Sequence, residues 1–248
     1  MNNFSVLRIH IAPVGFEIDR IVLPAIKLKA DRVWLITHSK TYDDKGSFFT
    51  TQIKDKLKAD KIECLDESAD RKDLFDTLRA LRSIIFKEKG NNIMVNTSTG
   101  SKIQSIAAMM ACMMFKDVGN IQPYYAEPEQ YRSVSEQQET QGLKDIISLP
   151  DYRIEIPNKN LIKCLELINK EKNSTVTKKR LRDLAIEEKL IQVSENKENK
   201  EISAYMALNT NILDSLQKWN FVTIEKIGKS KIVSLSQDGK NALKFLNS

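Results

Sequence analysis

The sequence predicts an α/β protein: a Rossmann-like, mostly parallel sheet with helices on both faces, followed by a C-terminal winged helix-turn-helix domain. Three observations carry this. Through residue 126, short β-branched runs alternate with amphipathic stretches of about ten residues or more, and strands joined by helices of that length pair in parallel. Beyond residue 157 the order becomes three helices, a hairpin and a helix, which is the grammar of a winged helix. The charge divides at the same place. Residues 1–151 carry 21 Lys and Arg against 21 Asp and Glu, and residues 152–248 carry 18 against 12, so the whole excess of +6 lies in the C-terminal part.

The elements follow in order. Residues 6–12, V-L-R-I-H-I-A, are the first strand, and P-V-G-F is a turn. Residues 17–28 set Ile18, Ile21, Val22, Ala25, Ile26 and Leu28 near helical spacing, with Pro24 expected to kink the helix. R-V-W-L-I-T at 32–37 is a second strand, 38–47 a loop, 48–59 a helix, and K-I-E-C-L at 61–65 a third strand. Residues 70–89 form an amphipathic helix on Leu74, Leu78, Leu81 and Ile85. N-I-M-V-N at 92–96 is a strand, 101–115 a helix, and N-I-Q-P-Y-Y-A at 120–126 the fifth strand. Nothing in the pattern specifies the strand order.

A polar stretch over 127–151 and short extended pieces bounded by Pro150 and Pro157 place a boundary here. The expected division is a Rossmann-like domain over 1–135, a linker region over 136–157 and a winged helix over 158–248. Within the last, 158–172 and 175–185 are helices, with Thr177 a plausible N-cap of the second. Residues 203–219 are the third helix, 221–227 and 231–235 a hairpin around Gly228, and a helix starts at Ser236.

Composition narrows the classes. Hydrophobic residues make up 41% of 248, enough for two cores. No run of about 18 uncharged apolar residues occurs, so no membrane span is expected. M-N-N-F-S-V-L-R lacks the features of a signal peptide. Cys64, Cys112 and Cys164 are scattered without a CxxC pair. Together these lead to the expectation of a cytoplasmic protein with reduced, buried thiols. With two histidines and no zinc spacing, no metal site and no cofactor are expected.

The chemistry concentrates at two turns. In V-N-T-S-T-G-S-K, at 95–102, a strand runs through a hydroxyl-rich turn into a helix. A helix N-terminus there presents free N–H donors and partial positive charge to phosphate or ribose oxygens. Gly100 permits close backbone approach, Thr97, Ser98, Thr99 and Ser101 offer hydroxyls, and Lys102 adds a charge. The same pattern also describes a capped helix, with Thr99 or Ser101 as N-cap. Neither GxxxxGK[ST] nor GxGxxG is present, which argues against a nucleotide triphosphatase or a dehydrogenase. Gly15, one of only eight glycines, sits at the first βα turn, in P-V-G-F-E. In a parallel sheet both turns open on one edge, where such folds bind ligands. His38 and the loop after it are placed nearby. Glu17 and Asp19 read as helix N-terminal charges and His10 as a strand histidine; no catalytic constellation emerges, and no catalytic residue is assigned. The helix over 103–115 is apolar almost all round, so one face covers the sheet and the other packs on a further helix or a second subunit.

In the C-terminal part, Lys178, Lys179, Arg180 and Arg182 stud the second helix, and Lys226, Lys229 and Lys231 the hairpin. These are positions where a winged helix meets DNA phosphates. Tyr205, Asn209 and Asn211 on the third helix are placed to reach base edges. The same surface also suits a protein-docking module or a plain solvated lysine face.

I-H-I-A-P-V-G-F-E-I-D-R-I-V, N-T-S-T-G-S-K-I-Q-S-I-A-A-M-M-A-C-M-M and the terminal winged helix together resemble archaeal regulators built on a CRISPR-associated Rossmann fold (CARF), nearest the haloarchaeal-type CARF–winged-helix transcriptional regulators. The resemblance spans nearly the whole chain. It implies a homodimer whose paired sensor domains form one ligand pocket for a cyclic oligoadenylate, often cyclic tetra-adenylate, with double-stranded DNA as the second partner. The family's ligand contacts, in the turns after the first and fourth strands, match Pro13, Val14, Gly15, Phe16 and Glu17, and Thr97 through Lys102, here. Some members cleave their ligand, so a ring nuclease is an alternative function, and a non-DNA-binding adaptor a further one. Residues 186–201 are long and charge-rich for a helix-turn-helix, a departure that bears on how DNA would be read.

Overall fold

The computed structural model describes residues 6–40, 45–131, 139–192 and 200–246. The middle of the 38–47 loop, residues 132–138 of the polar stretch, and 193–199 of the long 186–201 segment lie outside the described residues. The chain forms two compact units, Met1–Glu155 and Ile156–Ser248.

In the first unit β1 (Arg8–Pro13), α1 (Asp19–Lys27), β2 (Arg32–His38), α2 (Ser47–Ala59), β3 (Glu63–Ala69), α3 (Leu74–Lys87), β4 (Asn92–Asn96), α4 (Lys102–Met114) and β5 (Asn120–Glu127) follow one another as expected. Two short strands, β6 (Gln130–Tyr131) and β7 (Thr140–Gln141), pair antiparallel, and β8 (Asp145–Ser148) follows. The main sheet runs β3-β2-β1-β4-β5-β8, parallel throughout except for β8 against β5. The chain therefore winds one way from β1 to β3 and the other way from β4 to β5. Right-handed crossovers then place α1 and α2 on one face and α3 and α4 on the other. The point where the direction reverses lies between β1 and β4, and ligands bind outside the strand ends at such a point.

Burial explains the elements. Ala12, Val33 and Leu35 pack under Ile21, Val22, Ala25, Ile53 and Leu57 of the first two helices. Ile9 and Ile11 alternate with them and are fully buried too, as strands covered on both faces require. Pro24 sits inside α1. Its missing N–H leaves the Arg20 carbonyl without its helical donor, and the Asn96 side chain donates to that carbonyl at 2.8 Å.

Three boundaries differ from the sequence expectation. β3 extends to Ala69, with α3 starting after the Asp73 N-cap, because β3 is a half-exposed edge strand whose D-E-S-A carries no apolar alternation. Asp145–Ser148, within the expected linker, is hydrogen-bonded into the sheet as its other edge. Thr175–Thr177, expected as the start of a helix, forms β9 instead.

In the second unit α5 (Lys159–Lys170), β9 (Thr175–Thr177), α6 (Lys178–Glu187), α7 (Lys200–Leu208), a π turn (Asn209–Leu213), α8 (Asp214–Lys218), β10 (Val222–Ile227), β11 (Ser230–Leu235) and α9 (Gln237–Leu246) make the winged helix. β9 joins the wing as a third strand, in the order β10-β11-β9. The core gathers Leu165, Ile168, Leu181, Leu208, Ile212, Leu216 and Val233. Thr177 caps α6, its hydroxyl accepting from Arg180 N at 3.2 Å.

Candidate functional site

The turns after β1 and β4 interlock at the switch point. Gly100 holds φ +79°, and a Cβ there would stand 2.6 Å from Pro13 Cβ. A Cβ on Gly15 would lie 3.1 Å from Gly100 Cα and N. Thr99 Oγ1 donates to Pro13 O at 2.8 Å, bonding one turn to the other. Ser101 caps α4 in a capping box with Gln104, and its hydroxyl donates to Arg71 O at 2.8 Å in the β3–α3 turn. Three βα turns thus meet at one edge.

Beside them opens a cleft of about 260 Å³ lined by Val14, Gly15, Phe16, Glu17, Arg20, Arg71, Ser98, Gly100, Ser101 and Glu139. Ser98 is held by Asn96, which accepts from both its N–H and its hydroxyl, while Ser98 Oγ accepts from Ala126 N at 3.0 Å. Glu17 is 4% exposed; it accepts from the Thr140 hydroxyl and from Arg20 Nη1 at 3.4 Å. Burial raises its carboxyl above the ordinary value, against the pull of Thr140 and Arg20. Arg20 is 6% exposed, donates through Nε to Ala126 O at 2.8 Å and lies 4.9 Å from the Tyr125 ring centre.

The expected ligand residues separate into three groups. Val14, Gly15, Phe16, Glu17, Ser98, Gly100 and Ser101 line the cleft. Pro13, Thr97 and Thr99 are buried behind it, with both threonine hydroxyls spent on backbone carbonyls. Lys102 is exposed and is not part of the lining. His38 is also outside it: the residue is 5% exposed, with Nδ1 accepting from Arg71 N at 3.4 Å. Sequence reasoning missed Arg20, Arg71 and Glu139. A guanidinium in the first turn of a helix, where the dipole disfavours a cation, was the available signal for Arg20. Arg71 and Glu139 arrive from loops and carried no such mark. Among the described residues no group of three or more His, Cys, Asp or Glu could hold a metal ion, and no helix is long and apolar enough to cross a membrane.

His10 and Tyr124 form a buried polar pair, Nδ1 and Oη 3.3 Å apart. Burial lowers the imidazole to about 4, so it is neutral at physiological pH.

On the winged helix, the start of α6, α7 and the wing enclose a groove of about 440 Å³ lined by Thr177, Lys178, Lys179, Tyr205, Lys229, Ser230 and Lys231. A second groove, of about 510 Å³, shares Lys178 and Lys231 and adds Asn209, Gln217 and Lys226, with Asp214 and Glu225. Burial and the neighbouring charge of Lys231 both lower the Lys178 ammonium from its ordinary value. Asn211 is exposed but lines neither groove. Arg180 lies 3.5 Å from Glu171. Arg182 departs from its expected place on the open face. It is 9% exposed, bonded to Asp183 and Glu201, with its guanidinium 4.7 Å from the Tyr205 ring centre.

A family model described as HFX_2341_N-like, N-terminal, matches residues 8–131. A second, the DUF6293 C-terminal winged helix domain, matches residues 160–247. The uncharacterized protein MJ1513 of Methanocaldococcus jannaschii is 27% identical over 220 residues, covering 78% of this chain and 66% of that protein. Among solved structures, Can2 from Sulfobacillus thermosulfidooxidans in complex with cyclic tetra-adenylate aligns over 96% of this chain and 63% of its own, at 15% identity and a TM-score of 0.40. Csm6 from Enterococcus italicus, bound to cyclic hexa-2′-fluoro-hexa-dAMP, aligns over 86% and 56%, at 9% identity and a TM-score of 0.45. The chain therefore spans just under two thirds of the length of MJ1513 and of Can2. With half its residues matched by the first model and its C-terminal unit by the second, the chain belongs to the HFX_2341_N-like family and carries a DUF6293 winged helix.

Proposed function

We propose that this protein is a ligand-responsive, DNA-binding transcriptional regulator that senses a cyclic oligoadenylate in the cleft between its glycine turns. The observation that carries the reading is the interlock of Gly15 with Gly100. It brings the two turns in which the resemblance locates ligand contacts to one cleft, at the sheet edge where such folds bind nucleotides. The lining adds guanidinium groups from Arg20 and Arg71, the kind of donor a phosphodiester calls for. The lysines around the wing supply the surface for the second partner. A homodimer with paired clefts is part of this reading. Linkage then requires that ligand and DNA change each other's affinity by the same factor.

The test is calorimetric titration of the protein with cyclic tetra-adenylate, alongside DNA binding measured with and without the ligand. Saturable ligand binding that shifts DNA affinity supports the regulator. Conversion of the ligand to linear products would make the protein a ring nuclease instead. Ligand binding without any DNA binding would make it an adaptor.

A further inference from the structure

Arg20 is placed where a structural arginine would not be. It is the second residue of α1, so its cation stands at the positive end of the helix dipole. It is also buried, and a buried charge needs full pairing. Its pairing is incomplete. Nε is spent on Ala126 O, and Nη1 reaches Glu17 only at 3.4 Å. Nη2 is buried and has no hydrogen-bond partner among the described residues. Yet the side chain is held in place. The Tyr125 ring lies against it, and its own backbone carbonyl, released by Pro24, is held by Asn96. The result is a held guanidinium on a residue that lines the cleft, with its Nη2 nitrogen unspent among the described residues. Ser98, which lines the same cleft, is held through the same two neighbours, Asn96 and Ala126.

We propose that Arg20 is an anion-binding residue of the cleft, its free Nη2 donating to a phosphate oxygen of the ligand. The inference rests on the reading of the cleft as a phosphodiester site and assigns the residue that reading lacks. A preorganised guanidinium loses little freedom on binding and gives a charge-assisted bond stronger than a hydroxyl can. Its burial also explains the partner it already has. Glu17 offsets the cation, and a bound phosphate takes over that offset. A purely structural Arg20 would leave ligand affinity untouched by any substitution that keeps the fold.

The experiment compares the full-length protein with Arg20→Gln and Arg20→Lys, using cyclic tetra-adenylate and inorganic phosphate as probes. Arg20→Gln is expected to weaken cyclic tetra-adenylate binding at least about tenfold, the loss of a charged hydrogen bond. Arg20→Lys restores part of it, because the charge returns without the fork. Equal affinity in wild type and folded Arg20→Gln overturns the proposal while leaving the nucleotide reading intact. If the wild type binds no cyclic tetra-adenylate, that reading fails, and phosphate decides the role of Arg20. Following the Arg20 guanidinium nitrogen resonances of the unaltered protein during phosphate titration needs no variant. A saturable shift at Arg20 supports the proposal, and its absence overturns it.

Discussion

Gly15 and Gly100 stand back to back across the switch point of the sheet, so close that a Cβ on the first would lie 3.1 Å from the Cα and N of the second. Neither turn can take its shape without the other. The two turns therefore act as one rigid wall of the cleft rather than as two loops.

Gly100→Ala is expected to destabilise the protein by about 2–4 kcal/mol. It forces a side chain onto left-handed backbone and drives a Cβ to 2.6 Å from Pro13 Cβ. Gly15→Ala is milder, at about 1 kcal/mol, since a shift of a few tenths of an ångström relieves it. Scanning calorimetry of both variants measures this. Equal melting behaviour would mean that the turns are not interlocked.

Thr99→Val keeps the shape of the side chain but removes the donor to Pro13 O. The carbonyl loses its buried partner, a loss of about 1–2 kcal/mol. Thr99→Ser retains the hydroxyl and is expected to keep most of that stability. Denaturant midpoints of the two variants, compared at constant slope, decide it.

His10 predicts an acid-sensitive fold. Its pKa falls from 6.5 to about 4 on folding. Between those values the unfolded chain binds a proton that the folded chain refuses, so stability is lost as pH falls from 6.5 toward 4. The loss is about 1.4 kcal/mol per pH unit, or about 3 kcal/mol across the window. Below about 4 both states are protonated and this contribution levels off. His10→Met should show a shallower decline in melting temperature over that range. An identical profile would remove the imidazole from the account.

Lys178→Ala and Lys231→Ala are expected to weaken DNA binding and to reduce the slope of log affinity against log salt by about 0.9 for each phosphate left without its cation. Both residues line both grooves of the winged helix. Arg182→Ala serves as the contrast. Its guanidinium is occupied by Asp183, Glu201 and the Tyr205 ring, so its removal lowers stability by about 1 kcal/mol and leaves the salt slope unchanged. A salt slope that falls for Arg182→Ala and not for the lysines would reverse this assignment.

Much of the molecule was legible before folding. The 2.0 and 3.6 residue periods of the first 126 residues specify a parallel α/β sheet, and the later helix–hairpin pattern specifies a winged helix. Both glycine turns could be read because left-handed backbone at Gly100 and close approach at Gly15 each call for a residue without a Cβ. β3 was read short, because an edge strand needs no apolar alternation, and β9 was hidden because V-T at 176–177 looks the same as a helix cap.

The sequence by itself determined the main helices and strands of both units and which turns carry glycine and hydroxyls, since these depend on residues near in the chain. The tertiary structure alone decided the strand order, and with it that Gly15 meets Gly100 across 85 residues. It also decided which side chains are spent. Thr97 and Thr99 turn inward to carbonyls, His38 is buried, and Arg182 is taken up by carboxylates, while Arg20 Nη2 has no partner among the described residues. Hydrogen-bond partners and burial are set by long-range packing, and no local pattern encodes them.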